Sequence, residues 1–291
     1  MRVLAIDLGG TNLRVALAEG PEVTPEAPPR LLLRDRAPDG LAAFRDALSG
    51  LIAEHRPAAI GLAIPGHAQG QVCQWVPNLP WLDGVDMARV FPGLKVRLGN
   101  DAQLALLAEV AAGAARGLEN AILIAIGTGI GSGLLAGGRV IRGGANSFGW
   151  ACADMNAPGT PNDGWLESVA AGRALDRAAR PIGLADGPAL IAAARAGDVA
   201  ATKALAPAIA ALGTALAGAV ALTGAERVIV AGGVSSALDV LGPPVLARLR
   251  EHLPRHLRDT TISPAAFGRS ASLAGAAIAA IGHPAWEENR T

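Results

Sequence analysis

Short apolar runs rich in β-branched residues recur along the chain, and glycine breaks most of them. Arg2–Asp7 and Leu13–Ala18 are two such runs around Leu8-Gly9-Gly10-Thr11, which predicts a hairpin with glycine where the backbone must turn tightly. Leu31–Asp35 adds a third strand. From Leu41 to His55 the apolar positions Leu41, Phe44, Leu48, Leu51 and Ile52 follow a helical period, with Asp39 placed to cap it. Ala58–Ile64 is a buried strand ending at Pro65-Gly66, and a long loop leads to Lys95–Leu98 and then Gly99-Asn100-Asp101. Ala102–Ala115 is a helix by propensity.

The layout then repeats. Ala121–Ile126 is a strand, Gly127-Thr128-Gly129-Ile130-Gly131 a glycine turn, and Gly133–Ala136 a returning strand. Helical sequence fills Gly164–Thr223, Arg227–Ala231 is one more buried strand, and a last helix near Ser272–Ile281 packs back on the first part. The chain is thus α/β, two units that each open with a glycine hairpin, a duplicated architecture with a cleft between them. The division falls at 1–115 plus 272–291, the smaller N-terminal domain, and 116–271, the larger C-terminal one.

Composition narrows the function. The 291 residues are 51% hydrophobic, with 25 basic and 25 acidic side chains, so nothing in the charge favours nucleic acid or an anionic membrane. Two cysteines, Cys73 and Cys152, exclude a Cys-rich structural zinc site by count. The five histidines show no metal-ligand spacing, every long apolar run is interrupted by Gly, Pro or charge, and no signal peptide is visible. The expectation is a cytoplasmic protein.

Four segments carry chemistry. Gly9, Gly10, Thr11 and Asn12 offer backbone N–H groups and a hydroxyl to phosphate oxygens, and Asp7 at the strand end can hold Mg²⁺ through water. Gly127, Thr128, Gly129 and Gly131 can clamp the same triphosphate, and Gly232-Gly233-Val234 leaves bare backbone for an adenosine. A dinucleotide site is disfavoured, because the turn at Gly127–Gly131 runs into a strand and not a helix. Asp101 is placed to accept a proton from an attacking hydroxyl, with Asn100 orienting a second hydroxyl; the plainer role for Asp101 is a helix cap.

These segments, in this order over nearly the whole chain, resemble the ROK family (repressors, open reading frames and sugar kinases) of the hexokinase–actin superfamily. The resemblance implies an actin-like (ribonuclease H-like) fold and transfer of the γ-phosphate of ATP·Mg²⁺ to a hydroxyl of a sugar-like acceptor. Pro65-Gly66, Pro77-Asn78-Leu79-Pro80-Trp81 and Gly99-Asn100-Asp101 resemble the family's sugar loops, so Gly66, Asn78 and Asn100 are implied acceptor contacts. Glu167 corresponds to a family glutamate that contacts sugar.

The chain also departs from the pattern. Where the family has Glu-x-Gly-His, this sequence reads Gly149-Trp150-Ala151-Cys152-Ala153-Asp154, with Trp150 for the glutamate and Ala153 for the histidine, or Asp154 in its place after a one-residue shift. The cysteines of the family zinc site are missing around Pro161-Asn162-Asp163-Gly164. Trp150 suits the C–H face of a ring, so the expected acceptor is a modified sugar, cyclic polyol or related metabolite rather than plain glucose. Filling the volume of the absent zinc site is the plainer role for Trp150 and Trp165. A non-catalytic ligand sensor and an actin-like ATPase without acceptor are the competing classes. The DNA-binding region of family repressors would precede a motif that here begins at residue 7, and the resemblance allows a homodimer.

Overall fold

The computed structural model describes residues 1–157 and 164–287. Its strands are β1 (Arg2–Leu8), β2 (Asn12–Glu19), β3 (Arg30–Arg36), β4 (Ala59–Ile64), β5 (His67–Gln69), β6 (Val72–Trp75), β7 (Lys95–Asn100), β8 (Ala121–Ile126), β9 (Ile130–Ala136), β10 (Arg139–Val140), β11 (Arg227–Ala231) and β12 (Thr261–Pro264). The helices are α1 (Leu41–His55), α2 (Met87–Val90), α3 (Asp101–Ala112), α4 (Trp165–Ala170), α5 (Gly172–Ala179), α6 (Gly187–Arg195), α7 (Val199–Thr223), α8 (Leu238–Glu251) and α9 (Ala271–Ile281).

One sheet has the order β3-β2-β1-β4-β7 and the other β10-β9-β8-β11-β12, so the same plan occurs twice. In the first, β1 and β2 form the hairpin, antiparallel with Leu8 opposite Leu13, and β4 and β7 add in parallel. In the second, β11 lies parallel to both β8 and β12.

Side-chain size explains how the first sheet is covered. Successive residues of a strand face opposite ways. Leu4, Ile6, Ile60, Leu62, Val96 and Leu98 share one cluster with Phe44 and Leu48 of α1. The intervening residues, Ala5, Ala59, Gly61 and Ala63, are small. On them α9 comes close enough that a β-carbon on Gly61 would lie 1.8 Å from the Ala276 carbonyl oxygen. The same helix meets α3 through Gly275, whose β-carbon would fall 1.7 Å from the Leu104 carbonyl oxygen. Large residues thus seat one helix layer at side-chain distance, and small ones let the other reach backbone.

By contacts the chain forms two compact units, Met1–Gly117 with Gly133–Asn146 and the stretch from Arg269, and Leu118–Ser132 with Ser147–Gly268. Relative to the division read from sequence, Gly133–Asn146 joins the first unit, which is then no longer the smaller. Local bonds account for this. Gln103 Nε2 donates to the Gly144 carbonyl at 2.7 Å, and Val140 N–H donates to the Ala285 carbonyl at 2.9 Å.

Other local readings are corrected. Gly40, not Asp39, occupies the N-cap of α1, with no side-chain cap bond, because Asp39 stands one residue too early. The long loop holds the β5–β6 hairpin and α2, which Asp86 caps through Ala88 N–H. Although Lys203, Pro207, Gly213 and Gly218 interrupt its apolar sequence, α7 is long and apolar enough by composition to cross a membrane. Its alanines raise the mean hydropathy, and it packs against α4, α5, α6 and α8 as a core helix.

Candidate active site

In the first unit the β1–β2 turn leaves Gly10, Thr11 and Asn12 exposed, with Gly9 N–H donating to the Asn12 carbonyl (2.9 Å) and Ala37 N–H to the Thr11 carbonyl (2.9 Å). Asn78 stands directly over it, since a β-carbon on Gly10 would lie 2.8 Å from that of Asn78. Gly66 lies equally close to the backbone of Trp75 and Val76, which lead into Pro77-Asn78.

At the end of β7 the labour divides between neighbours. Asn100 is the N-cap of α3: its Oδ1 accepts from Ala102 N–H at 3.0 Å and Gln103 N–H at 3.3 Å, and its Nδ2 donates to the Gly66 carbonyl at 3.0 Å. Asn100 is buried, and most of its polar capacity goes into fixing the turn. Capping therefore falls to Asn100, and Asp101 is the first residue of the helix. Its carboxyl accepts from Ala102 N–H, at 2.7 Å. Burial, and then the negative charge of Asp7, push the Asp101 carboxyl up to about 7. A carboxyl that ionises near neutrality is suited to accept a proton.

Asp7 has a partner that the sequence reading did not assign. Arg14 faces it across the hairpin, and Arg14 Nε donates to Asp7 Oδ2 at 2.9 Å. Arg14 Nη2 also pairs with Oδ2, and the Ser272 hydroxyl donates to it at 3.1 Å. Arg14 Nη1 is held by the Arg269 carbonyl at 2.7 Å. The register of a hairpin closed by Leu8 and Leu13 puts residue 14 opposite residue 7, so this pair was readable in principle; Ser272, 265 positions away, was not. Oδ1 of Asp7 accepts no hydrogen bond among the described residues. One free carboxylate oxygen fits a Mg²⁺ held mainly by water and phosphate, not one caged by protein. No group of three or more His, Cys, Asp or Glu among the described residues is placed to hold a metal.

In the second unit the turn Gly127–Gly131 is fixed from two sides. Gly172 N–H donates to the Gly127 carbonyl at 2.8 Å, and Ile130 N–H donates to Glu167 Oε2 at 2.9 Å. Thr128 is exposed at its tip. Gly232 lies against the end of β8 at φ +80°, where a β-carbon would meet the Ile126 carbonyl oxygen at 2.4 Å. The third segment is thereby set beside the second turn, and Gly233 has open space around it. Val234 instead lines a small apolar cavity with Ile126, Val230 and Leu241. Trp150 ends a 3₁₀ turn, Phe148–Trp150, and is 51% exposed. Pro161, Asn162 and Asp163 lie outside the described residues; Gly164 and Glu167 lie within them.

The chain matches known proteins over nearly its whole length. A family model described as "ROK family" matches residues 3–283. Kanosamine kinase of Amycolatopsis mediterranei is 33% identical, with 94% of each chain covered. N-acetylmannosamine kinase of Salmonella typhi is 28% identical over 97% of this chain and 99% of its own. Among solved structures, a ROK hexokinase from Thermus thermophilus superposes with a TM-score of 0.76 at 30% identity, covering 96% of this chain and 98% of that one.

Proposed function

Since the chain belongs to the ROK family and is an ATP-dependent carbohydrate kinase of actin-like fold, we propose that Asp101 is its base and that its acceptor is a sugar other than plain glucose. Within that class an amino sugar is the foremost candidate. The observation that carries the catalytic reading is the cap exchange at Asn100-Asp101, which leaves a half-buried, easily protonated carboxyl at the start of a helix.

Asp101 takes the proton of the acceptor hydroxyl as that oxygen attacks the γ-phosphorus, and ADP leaves with the bridging oxygen's electron pair. The exposed N–H groups of Gly10 and Thr11, and the turn at Gly127–Gly131, cradle phosphate oxygens. Asp7 would hold Mg²⁺ through water, and the ion would offset charge on the phosphates.

The acceptor reading rests on Trp150 and Ala153, where the family resemblance calls for a glutamate and a histidine. A carboxylate that binds sugar hydroxyls is absent there, and losing such a partner costs about 1–3 kcal/mol per unpaired group. An exposed indole instead offers a flat face to ring C–H groups. The names of two relatives, kanosamine kinase and N-acetylmannosamine kinase, point to amino sugars as acceptors of those proteins.

The test is ADP release from ATP·Mg²⁺ across glucose, amino sugars, anhydrosugars and cyclic polyols, with Asp101→Asn as control. Turnover with an amino sugar that disappears in the variant is expected. Strong preference for glucose sinks the acceptor reading, and acceptor-independent ATP hydrolysis sinks the catalytic one.

A further inference from the structure

Glu167 does more in this fold than a sugar contact requires. Its Oε2 accepts from Ile130 N–H at 2.9 Å, so the carboxylate is bonded into the turn assigned to phosphate. The surroundings are built to admit it. A β-carbon on Gly129 would lie 2.7 Å from Oε1, and one on Gly149 would lie 3.2 Å from Oε2. Gly164, which starts α4, abuts the Gly149 carbonyl so tightly that its own β-carbon would fall 2.1 Å away. Three glycines thus bring the phosphate turn, the strip ending at Trp150 and the first turn of α4 around one carboxylate. Oε1 accepts no hydrogen bond among the described residues, and Glu167 is only partly buried.

We propose that Glu167 couples the acceptor to the nucleotide: Oε2 fixes the Ile130 N–H of the phosphate turn while Oε1 takes a hydroxyl or ammonium hydrogen of the acceptor. This rests on the kinase reading and goes beyond it, because a side chain that only contacts sugar has no reason to govern nucleotide affinity. An acceptor bound at Oε1 restrains the carboxylate, and the carboxylate restrains the turn, so each ligand finds the other's half already ordered. Glu167 is a binding and positioning residue and takes no proton in the reaction.

The test is calorimetric binding of the non-hydrolysable analogue AMPPNP with Mg²⁺, without acceptor, to wild type, Glu167→Ala and Glu167→Gln. Loss of a charge-assisted bond to the turn is expected to weaken AMPPNP roughly 10-fold or more in the Ala variant. The Gln variant keeps an oxygen for Ile130 N–H, so its AMPPNP affinity is expected to stay within about threefold of wild type. Its acceptor KM should rise roughly 10-fold. An Ala variant that binds AMPPNP like wild type overturns the coupling and leaves the kinase reading intact. If the Ala variant does not fold, Glu167→Gln decides the matter, and an unchanged acceptor KM overturns the proposal. Wild type that binds no AMPPNP removes the kinase reading, and the coupling falls with it.

Discussion

The ring of Trp286 lies against Gly99, so that a β-carbon on Gly99 would sit 2.6 Å from two of its carbon atoms. The indole is almost wholly buried, and Arg142 stacks over it at 4.9 Å. A tryptophan from the last described stretch of chain therefore backs the strand end that carries Asn100 and Asp101. Gly99→Ala forces ring and strand apart, and a loss of about 1–3 kcal/mol is expected. Trp286→Ala empties the site and costs about 3–5 kcal/mol. Trp286→Phe should cost less than the alanine change, since it keeps a ring and removes a buried Nε1 that has no hydrogen-bond partner among the described residues. Urea unfolding of the three variants checks the order.

The pH dependence follows from Asp101. As a base it must be ionised, so kcat/KM is expected to rise with pH through about 7. Stability runs the other way. The folded-state value lies above the ordinary one, so the folded protein holds the proton more tightly. That contribution is complete below about pH 4 and is lost as pH rises through about 7. Asp101→Asn should therefore be inactive, yet more stable than wild type at pH 8 by on the order of 1–4 kcal/mol, with the gain shrinking towards pH 4. Thermal unfolding at both pH values reads it.

Arg14 offsets the charge of Asp7, one of the two causes that raise Asp101. Arg14→Gln leaves that charge bare, and the acid limb of kcat/KM is expected to move to higher pH by up to about one unit. Arg2→Gln, at the far end of the same hairpin and paired with Glu19, should leave the limb in place. A pH–rate profile of both variants separates the local effect from a general change in net charge.

Gly10 and Asn78 set the spacing between the first turn and the Pro77–Trp81 loop. Gly10→Val pushes Asn78 away, and KM for both substrates is expected to rise severalfold with little change in unfolding midpoint, because Gly10 is exposed. An unchanged acceptor KM would remove Asn78 from the site.

Much of the fold was legible because glycine turns punctuate apolar runs. Both hairpins, the strand ahead of Asn100 and the strand at Arg227–Ala231 stand out locally. Less legible were features set by distant partners. β12 is four residues long and ends in proline, so its strand character comes from pairing with β11. Gly133–Asn146 reads as the continuation of a hairpin, and only Gln103 and Ala285 reveal where it packs. At the site, the glycine turns and the Asn100-Asp101 pair were visible as motifs. The exchange of capping between Asp101 and Asn100 was not, because both residue types cap equally well and only the turn geometry chooses. Glu167 could be placed by resemblance, but its bond to Ile130 depends on packing across 37 positions.

The order in which the ribosome delivers these elements has a consequence of its own. The chain passes from one unit to the other after residues 117, 132, 146 and 268, so neither unit is one continuous stretch. The small-residue face of the first sheet, built around Gly61, is covered by α9, which is synthesised after every other helix and strand described. Until then β1 and β4 expose backbone and alanine to the solvent, although they were made first. The second unit has all its strands and helices by Gly268 and can settle while the first still waits. Folding of this protein during synthesis therefore runs against the direction of the chain, and its N-terminal half is the part that needs protection from premature association.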